Sequence, residues 1–393
     1  MTGRGSPESL SAKLDGVLAG AVDAGAVPYV VAVVARGDGT IYAGASGEAK
    51  PGKPADPDTV FRIFSMTKAI GSLATMLLID RGKLTIDTPV ADVIPEFSEI
   101  RLLRGFDKGH AVLVQPRETV TVRHLATHTS GLVYAPWSEE MTRYVELTNH
   151  PDAMTGRRRF LFGPQCFEAG EKWGYGIGID WLGQIIERID GRRIDTFCRQ
   201  EIFQPLGMHD TTFEAEPQVA SRLGDVYQRQ GNAFSRIELA PPADPEVYGM
   251  GHALYSTAPD YTRFLRLFLN NGSLERQRIC SGDAVSAMLA NQIGTVHVPR
   301  LPSLKPELSA DLEYFPGVPK THSFGFLRFE SDVPAMRARG SLAWSGVANT
   351  HFWLDPESDV SGVFMTQTLP FLDPRVMQSF EAFERNVYSA LRR

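Results

Sequence analysis

Ser65 and Lys68 stand three residues apart at the start of a mainly apolar segment, residues 61–82. If this segment is a helix, both side chains lie on the face of its first turn. A serine hydroxyl becomes a good nucleophile when a base takes its proton, and a lysine amine acts as that base when burial or a neighbouring cation favours its neutral form. The pair therefore predicts a nucleophile beside its base, with free backbone N–H groups at the helix N-terminus to stabilise an oxyanion.

Tyr175 is a second candidate, because it lies among glycines in the run EKWGYGIG at residues 171–178. A phenol in such a loop can approach a site closely, and beside a lysine ammonium it can ionise and serve as a general base. The alternative is a buried tyrosine whose hydroxyl is satisfied by one backbone partner. The run alone is compatible with both interpretations.

A third stretch, GSLAWSGV at residues 340–347, is typical of a short strand rich in small residues. A glycine here would let a substrate lie against the edge of the strand. The N–H of Val347 could then supply a second oxyanion donor beside that of Ser65. The alternative is an ordinary strand in which the indole of Trp344 packs in the core.

The elements that must position these residues follow from the hydrophobic pattern. Apolar residues recur at helical spacing over residues 10–22, and β-branched runs at 29–35 and 40–43 flank the Asp38-Gly39 turn of a hairpin. Further strand patterns occur late in the chain, at residues 323–329, 340–344, 350–354 and 361–368. The last segment returns to helical spacing. An antiparallel sheet flanked by the N- and C-terminal helices accounts for these elements.

Between the two groups of strands the pattern is mostly helical, with an irregular segment at residues 101–118. We therefore predict an α+β fold in which residues 1–83 and 249–393 form an α/β domain and residues 84–248 form a mostly helical insertion domain. A proline-rich loop at 294–319 is expected to form a lid or an oligomer contact. Assembly into a homo-oligomer is thus left open.

Composition narrows the classes of function. The chain has 393 residues, 43% of them hydrophobic, which is typical of a globular protein. The net charge is -6 and the basic residues are scattered, so we expect no binding to nucleic acid or to membranes. The start of the sequence lacks an apolar signal segment, and the longest apolar run is too short to span a bilayer, so we expect a cytoplasmic protein. The three cysteines lack paired spacing, which predicts free thiols.

Taken in order, the S-x-x-K motif at residues 65–68, the tyrosine run and the W-x-G tripeptide at 344–346 resemble serine hydrolases related to class C β-lactamases. Among these, the family VIII carboxylesterases are the most similar, and lovastatin-type acyltransferases share the same scaffold. Three other runs also look like recurrent segments of this group: LATHTSGL at 125–132, GMGHALYSTAPD at 249–260 and WLDP at 353–356. The resemblance implies a fold of the β-lactamase and penicillin-binding-protein type.

The resemblance also implies a role for each candidate residue. Ser65 would be the acylated nucleophile and Lys68 its proton partner. Tyr175 would be the general base, which later protonates the leaving alcohol and activates the deacylating water. The N–H groups of Ser65 and Val347 would form the oxyanion hole. Such a reaction uses no cofactor and no metal, so we expect neither.

Two departures from the β-lactamase pattern indicate neutral esters as substrates. Where β-lactamases have lysine, threonine and glycine on the last strand, this chain has Trp344, Ser345 and Gly346, and so lacks the cation that holds a β-lactam carboxylate. Ile177 replaces an asparagine expected two residues after the tyrosine. We expect these four residues to bind a small ester with a short-to-medium acyl group, with little β-lactamase activity. Acyl transfer and amide or β-lactam hydrolysis remain alternatives.

Three other interpretations of the sequence compete with this one. A lipase-type Ser-His-Asp triad needs a G-x-S-x-G turn, which the sequence lacks. A zinc site at His124 and His128 lacks the glutamate that follows the first histidine in zinc hydrolases of this spacing, because Leu125 stands there. A protein of this fold that binds a ligand without catalysis remains open, although intact Ser65, Lys68 and Tyr175 argue against it.

Overall fold

The computed structural model describes residues 7–391, and its central element is an eight-stranded sheet in which every pair of neighbours is antiparallel. In spatial order the strands are Lys320–His322, Leu327–Phe329, Leu342–Gly346, Thr350–Asp355, Val360–Met365, Tyr29–Arg36, Gly39–Lys50 and Lys53–Pro54. The sheet is thus drawn from two stretches near opposite ends of the chain. The pairing of Tyr29–Arg36 with Val360–Met365 joins them.

Helices cover both faces of this sheet, as two adjacent aromatic residues demonstrate. Side chains of successive strand residues point to opposite faces. Phe352 meets the ring of Tyr261 on the helix Ala258–Leu269, whereas Trp353 meets Phe383 on the C-terminal helix. The C-terminal helix, Pro374–Leu391, packs in turn against the N-terminal helix, Pro7–Asp23. The predicted α+β fold, with an antiparallel sheet and flanking terminal helices, is therefore confirmed.

The helix that follows Ser65, Thr67–Asp80, lies inside the molecule, because all of its residues from 67 to 78 are buried. A helix that is apolar all round is stable only when other elements surround it. Gly71 allows the close approach of one of these elements, since a Cβ at this position would lie 3.0 Å from Ile179 and from Met250. This helix is consequently a rigid support for the side chains at its start.

The remaining α-helices connect and cover these elements. They are Val90–Val93, Val122–Ala126, Glu139–Thr148, Gly178–Asp190, Ile194–Cys198, Gln204–Leu206, Pro217–Ala220 and Gly282–Leu289. Short 3-10 turns add Phe64–Met66, Pro95–Glu99, Ala135–Trp137, Ala153–Thr155 and Arg158–Phe162, and Arg199–Phe203 is a π-helical turn. Among the helices of residues 7–391, none has both the length and the apolar character needed to cross a bilayer.

The segment at residues 101–118 is not irregular, as the sequence pattern suggested, but a β-hairpin of Leu102–Asp107 and His110–Val114. Its two turn residues, Lys108 and Gly109, both have positive φ, as a tight two-residue hairpin turn requires. The strands were missed because most of their side chains are exposed or half-buried, so no buried alternating pattern marks them. A second hairpin joins Val226–Gln230 to Ala233–Ile237, and it also lies in the stretch 84–248 that was predicted to be mostly helical.

The loop at residues 294–319 folds back onto the body of the molecule. Leu304 donates its N–H to the carbonyl of Pro136 at 2.9 Å, and Ala310 donates to Phe371 at 2.8 Å. Tyr314 donates its hydroxyl to Ser345 Oγ at 2.7 Å. These bonds attach the loop beside the strand Leu342–Gly346, so it forms a wall of the region described next.

Candidate active site

Ser65 lies in the tight turn Phe64–Met66, which leads into the buried helix. The residue before it, Phe64, has φ +41, a left-handed conformation that an aromatic residue rarely adopts. Burial of the Phe64 ring against Val226 and Ala348 stabilises this conformation. The chain is therefore bent sharply where the nucleophile is presented, a kind of backbone strain that is common at functional sites.

Lys68 is buried, and its amine makes three hydrogen bonds. Nζ lies 3.2 Å from Ser65 Oγ, 3.2 Å from the hydroxyl of Tyr134 and 2.7 Å from the carbonyl oxygen of Gly251. An ammonium has three donors, so these partners match its capacity. The structure thus brings the amine to the serine hydroxyl and fixes its direction.

Tyr175, which lies 110 residues after Ser65 in the sequence, contacts the same hydroxyl. Its OH lies 2.6 Å from Ser65 Oγ, and its ring centroid lies 4.9 Å from Lys68 Nζ. Gly176 makes this approach possible, since a Cβ there would lie 1.7 Å from the carbonyl oxygen of Leu132. The hydroxyl, amine and phenol that the sequence singled out therefore meet at one point.

His128 supports the tyrosine loop from behind. Its carbonyl accepts the N–H of Gly174 at 2.9 Å, and its Nδ1 lies 3.4 Å from the N of Gly176. Burial, together with the neighbouring His322 and Lys68, holds the pKa of His128 well below its usual range, so the ring is neutral. A neutral ring whose Nδ1 accepts the N–H of Gly176 carries its proton on Nε2. This histidine clamps the backbone on both sides of Tyr175.

The other histidine of the rejected zinc motif also has a structural partner. His124 Nδ1 accepts the backbone N–H of Thr121 at 3.1 Å, which completes a capping box at the helix Val122–Ala126. Within residues 7–391, no three His, Cys, Asp or Glu side chains are grouped so that they could hold a metal ion.

Tyr134 belongs to the site, although the sequence analysis missed it. Its hydroxyl contacts Lys68 Nζ, and its ring lies 5.1 Å from Tyr175 by ring centroids. Burial, with a smaller contribution from Asp180, raises the pKa of Tyr134 well above its usual value, so the hydroxyl stays neutral. Its position shortly after the run at 125–132 was the only signal, and no spacing rule links it to Lys68.

The strand Leu342–Gly346 ends against the serine turn. A Cβ on Gly346 would lie 2.3 Å from the carbonyl oxygen of Ile63 and 2.4 Å from Thr350 Oγ1, so only glycine fits there. The next residue, Val347, packs against the cluster that contains Phe64. The two backbone segments expected to supply oxyanion donors therefore adjoin each other.

The predicted substrate-binding side chains have different surroundings. The Trp344 ring lies 5.0 Å from that of Tyr175, at an angle of 63°. Ile177 is buried at the start of the helix Gly178–Asp190 and lies in the main hydrophobic core. The Ser345 hydroxyl is engaged by other side chains, because its Oγ accepts from Tyr314 and lies 2.5 Å from His351 Nδ1. The structure thus brings Trp344 to the catalytic group but not the side chain of Ser345.

Tyr175 also forms part of the wall of a cavity of about 310 Å³. Most of the other lining side chains are apolar or aromatic, and they include Val133, Trp137, Phe167, Trp173, Pro299 and Leu301. Glu139, Glu140 and Lys172 line the cavity as well, and the structure shows them exposed. A cavity of this size and lining suits a small, mainly apolar molecule with few charged groups.

Comparison with known proteins agrees with this geometry. The family model described as Beta-lactamase matches residues 14–385. The chain is 29% identical to the esterase EstB of Burkholderia gladioli, over 92% of this chain and 91% of that protein. It is 28% identical to monacolin J acid methylbutanoyltransferase of Aspergillus terreus, over 86% and 83% of the two chains.

Unliganded simvastatin synthase (LovD) of Aspergillus terreus, as a selenomethionyl derivative, has the same fold, with a TM-score of 0.83 and 24% identity over 98% of both chains. The predicted relationship to esterases and lovastatin-type acyltransferases of this scaffold is thereby confirmed. The chain belongs to the β-lactamase family, as a member of its serine hydrolases and acyltransferases.

Proposed function

We propose that the protein is a carboxylesterase of the family VIII type, which cleaves neutral esters through an acyl-enzyme on Ser65. The observation that carries the proposal is the double contact of Ser65 Oγ, at 2.6 Å from the Tyr175 hydroxyl and 3.2 Å from Lys68 Nζ. A nucleophile within hydrogen-bond reach of its base is the expected geometry for covalent catalysis.

The reaction then has two acyl-transfer steps with one proton path. Ser65 Oγ attacks the ester carbonyl and gives its proton to the coupled pair of Tyr175 and Lys68. The oxyanion is stabilised by the N–H groups of Ser65 and Val347. As the C–O bond breaks, Tyr175 returns the proton to the leaving alcohol. In the second step water attacks the acyl carbonyl and gives its proton to the pair, which returns it to Ser65 Oγ as the acyl C–O bond breaks and the acid leaves.

The surroundings of Ser65 support neutral substrates. The strand that carries a lysine in β-lactamases presents Trp344 here, so a substrate carboxylate would find an indole instead of a cation. The apolar and aromatic side chains in the cavity beside Tyr175 suit a short-to-medium acyl or alcohol group. Esters without charge near the carbonyl are therefore favoured over β-lactams.

Covalent labelling tests the proposal. The protein should react with a fluorophosphonate probe and hydrolyse p-nitrophenyl esters faster than nitrocefin or an amide substrate. Ser65→Ala should lose both labelling and turnover, because it removes the nucleophile. Ser72→Ala is the matched control, since Ser72 is a buried serine on the helix that directly follows Ser65. No labelling of the wild-type protein would favour the non-catalytic ligand binder, and labelling of Ser65→Ala would place the nucleophile elsewhere.

Acyl transfer to a second alcohol is the alternative on this site. It shares the acyl-enzyme and differs only in what attacks it, and the apolar side chains that line part of the cavity beside Tyr175 would favour an alcohol over water. The ratio of transesterified product to free acid, measured against the concentration of added alcohol, separates the two. A ratio near zero at high alcohol concentration identifies a hydrolase.

Trp344→Ala should change substrate preference more than it changes catalysis. Because the indole lies beside Tyr175, its removal should alter the ratio of kcat/KM for long and short acyl esters by about 10-fold, the range expected for a change in an apolar pocket. Trp353→Phe is the control, because Trp353 faces the C-terminal helix. Unchanged selectivity in Trp344→Ala would show that Trp344 does not contribute to substrate binding.

A further inference from the structure

A buried carboxyl lies behind Lys68. Asp180, in the first turn of the helix Gly178–Asp190, is fully buried, and its Oδ1 accepts the N–H of Gly251 at 2.8 Å. The carbonyl oxygen of the same Gly251 accepts from Lys68 Nζ at 2.7 Å. One residue, Gly251, therefore connects the carboxyl to the amine that touches Ser65.

The segment at residues 249–252 is shaped around this carboxyl. A Cβ on Gly249 would lie 2.8 Å from Asp180 Oδ1, and a Cβ on Gly251 would lie 2.7 Å from Asp180 Oδ2. Glycine at both positions allows the backbone to approach the carboxyl closely. Oδ2 is buried without a hydrogen-bond partner among the described residues, an arrangement that is costly unless another interaction compensates.

The charged and titratable groups around Asp180 indicate which interaction compensates for its unpaired oxygen. Burial raises the pKa of Asp180 to about 6, and the charge of Lys68 is the largest effect opposing this rise. His252 Nδ1 lies 3.8 Å from Oδ1, but burial and the Lys68 charge lower the pKa of His252 to about 3, so its ring is neutral. Tyr134 also faces the carboxyl and stays neutral, as described above. Lys68 is thus the cation that acts on Asp180.

We infer that Asp180 is a positioning residue that acts as the counter-ion of Lys68 and, through Gly251, holds the amine against Ser65. The inference rests on the proposed roles of Lys68 and Tyr175 in proton transfer. An ionised carboxylate favours the protonated amine, so it opposes loss of the proton from the Lys68–Tyr175 pair. Removing the carboxylate should therefore ease that loss while loosening the position of the amine.

Asp180→Asn tests the inference through the pH dependence of ester hydrolysis. The acid limb of kcat/KM should move to lower pH by about one unit, because a nearby opposite charge shifts a pKa by about that much or more. At the pH optimum kcat should fall, because the amine is no longer held in place. A profile that superimposes on that of the wild-type protein would overturn the inference.

Asp260→Asn is the matched control for this experiment. Asp260 is also buried, its pKa is likewise raised to about 6 by burial, and it also accepts a backbone N–H, from Asp210 at 2.8 Å. The Lys68 charge, however, is not among the effects on Asp260. Loss of a buried carboxyl alone should therefore leave the acid limb in place, and an equal shift in both variants would assign the effect to general destabilisation.

A direct titration keeps the inference testable if Asp180→Asn does not fold. The carboxyl of Asp180, followed by 13C NMR, should titrate at higher pH in Lys68→Met than in the wild-type protein, because the charge that lowers its pKa is gone. A rise of about one unit or more is expected, and an unchanged value would overturn the pairing. This readout needs no ester turnover, so it is independent of the Ser65→Ala result that tests the proposed function.

Discussion

Tyr175→Phe should lower kcat for ester hydrolysis by about 10²-fold or more, with a much smaller change in KM. The substitution removes one oxygen, and that oxygen lies 2.6 Å from Ser65 Oγ. Without it, Ser65 loses the partner that takes its proton and the leaving alcohol loses the group that returns it. The ring and its packing against Trp344 are retained, so substrate binding should persist.

Tyr134→Phe separates this role from a general need for hydroxyl groups around Lys68. Tyr134 contacts the same amine at 3.2 Å, but its hydroxyl bond is to Lys68 and not to Ser65. Its loss should therefore cost less than the loss of the Tyr175 hydroxyl. Steady-state kinetics on one p-nitrophenyl ester compare the two variants. A larger fall in kcat for Tyr134→Phe than for Tyr175→Phe would assign the proton transfer to Tyr134 and contradict the role proposed for Tyr175.

The contact between Ser65 and Lys68 could be predicted from the sequence because it depends only on helical spacing, which is local. Tyr175 could be proposed because glycines on both sides of a tyrosine indicate a loop whose backbone can approach another part of the protein closely. Asp180 and Tyr134 could not be found in this way. An aspartate in the first turn of a helix is the ordinary choice for favourable interaction with the helix dipole, so its sequence position gives no sign of a partner.

The predicted substrate-binding side chains of the strand Leu342–Gly346 depend on which face of the sheet each one points to. The sequence alone does not fix this, because it does not fix where the strand begins and ends. Trp344 and Ser345 are neighbours and therefore point to opposite faces. Ser345 lies opposite His351 on the neighbouring strand, and its hydroxyl forms a hydrogen bond with the imidazole of that residue. The ring of Trp344 packs against Tyr175. This alternation puts the indole and not the Ser345 hydroxyl beside Tyr175, and a role of Ser345 in substrate binding stays a prediction.

The fold was easier to predict where both faces of a strand are buried. The strand Tyr29–Arg36 is apolar and buried up to Ala35 because helices cover both faces of the sheet, and that composition is visible without coordinates. The hairpin of Leu102–Asp107 and His110–Val114 carries mostly exposed or half-buried side chains, so its composition resembles that of a loop. Its two-residue turn at Lys108 and Gly109 was the signal that remained.

Lys68→Met should abolish most ester hydrolysis, with a fall in kcat of about 10²-fold or more, because it keeps the apolar stem and removes the proton partner of Ser65. It should also leave the carbonyl of Gly251 without its donor and Asp180 without its counter-ion. Reaction with a fluorophosphonate probe should slow in parallel, since Ser65 Oγ then depends on Tyr175 alone. Turnover near that of the wild-type protein would reject Lys68 as part of the base.

Lys320→Met provides the matched control, because Lys320 is also a buried lysine whose amine donates three hydrogen bonds. Its partners are the carbonyl oxygens of Tyr314, Phe315 and Val318 in the loop at 294–319. Losing them should destabilise the protein and lower its Tm, because buried carbonyl groups are left unpaired. Turnover per fluorophosphonate-reactive site should nevertheless stay close to that of the wild-type protein. Equal loss of turnover per site in both variants would mean that the effect of Lys68→Met comes from removing a buried lysine and not from its place beside Ser65.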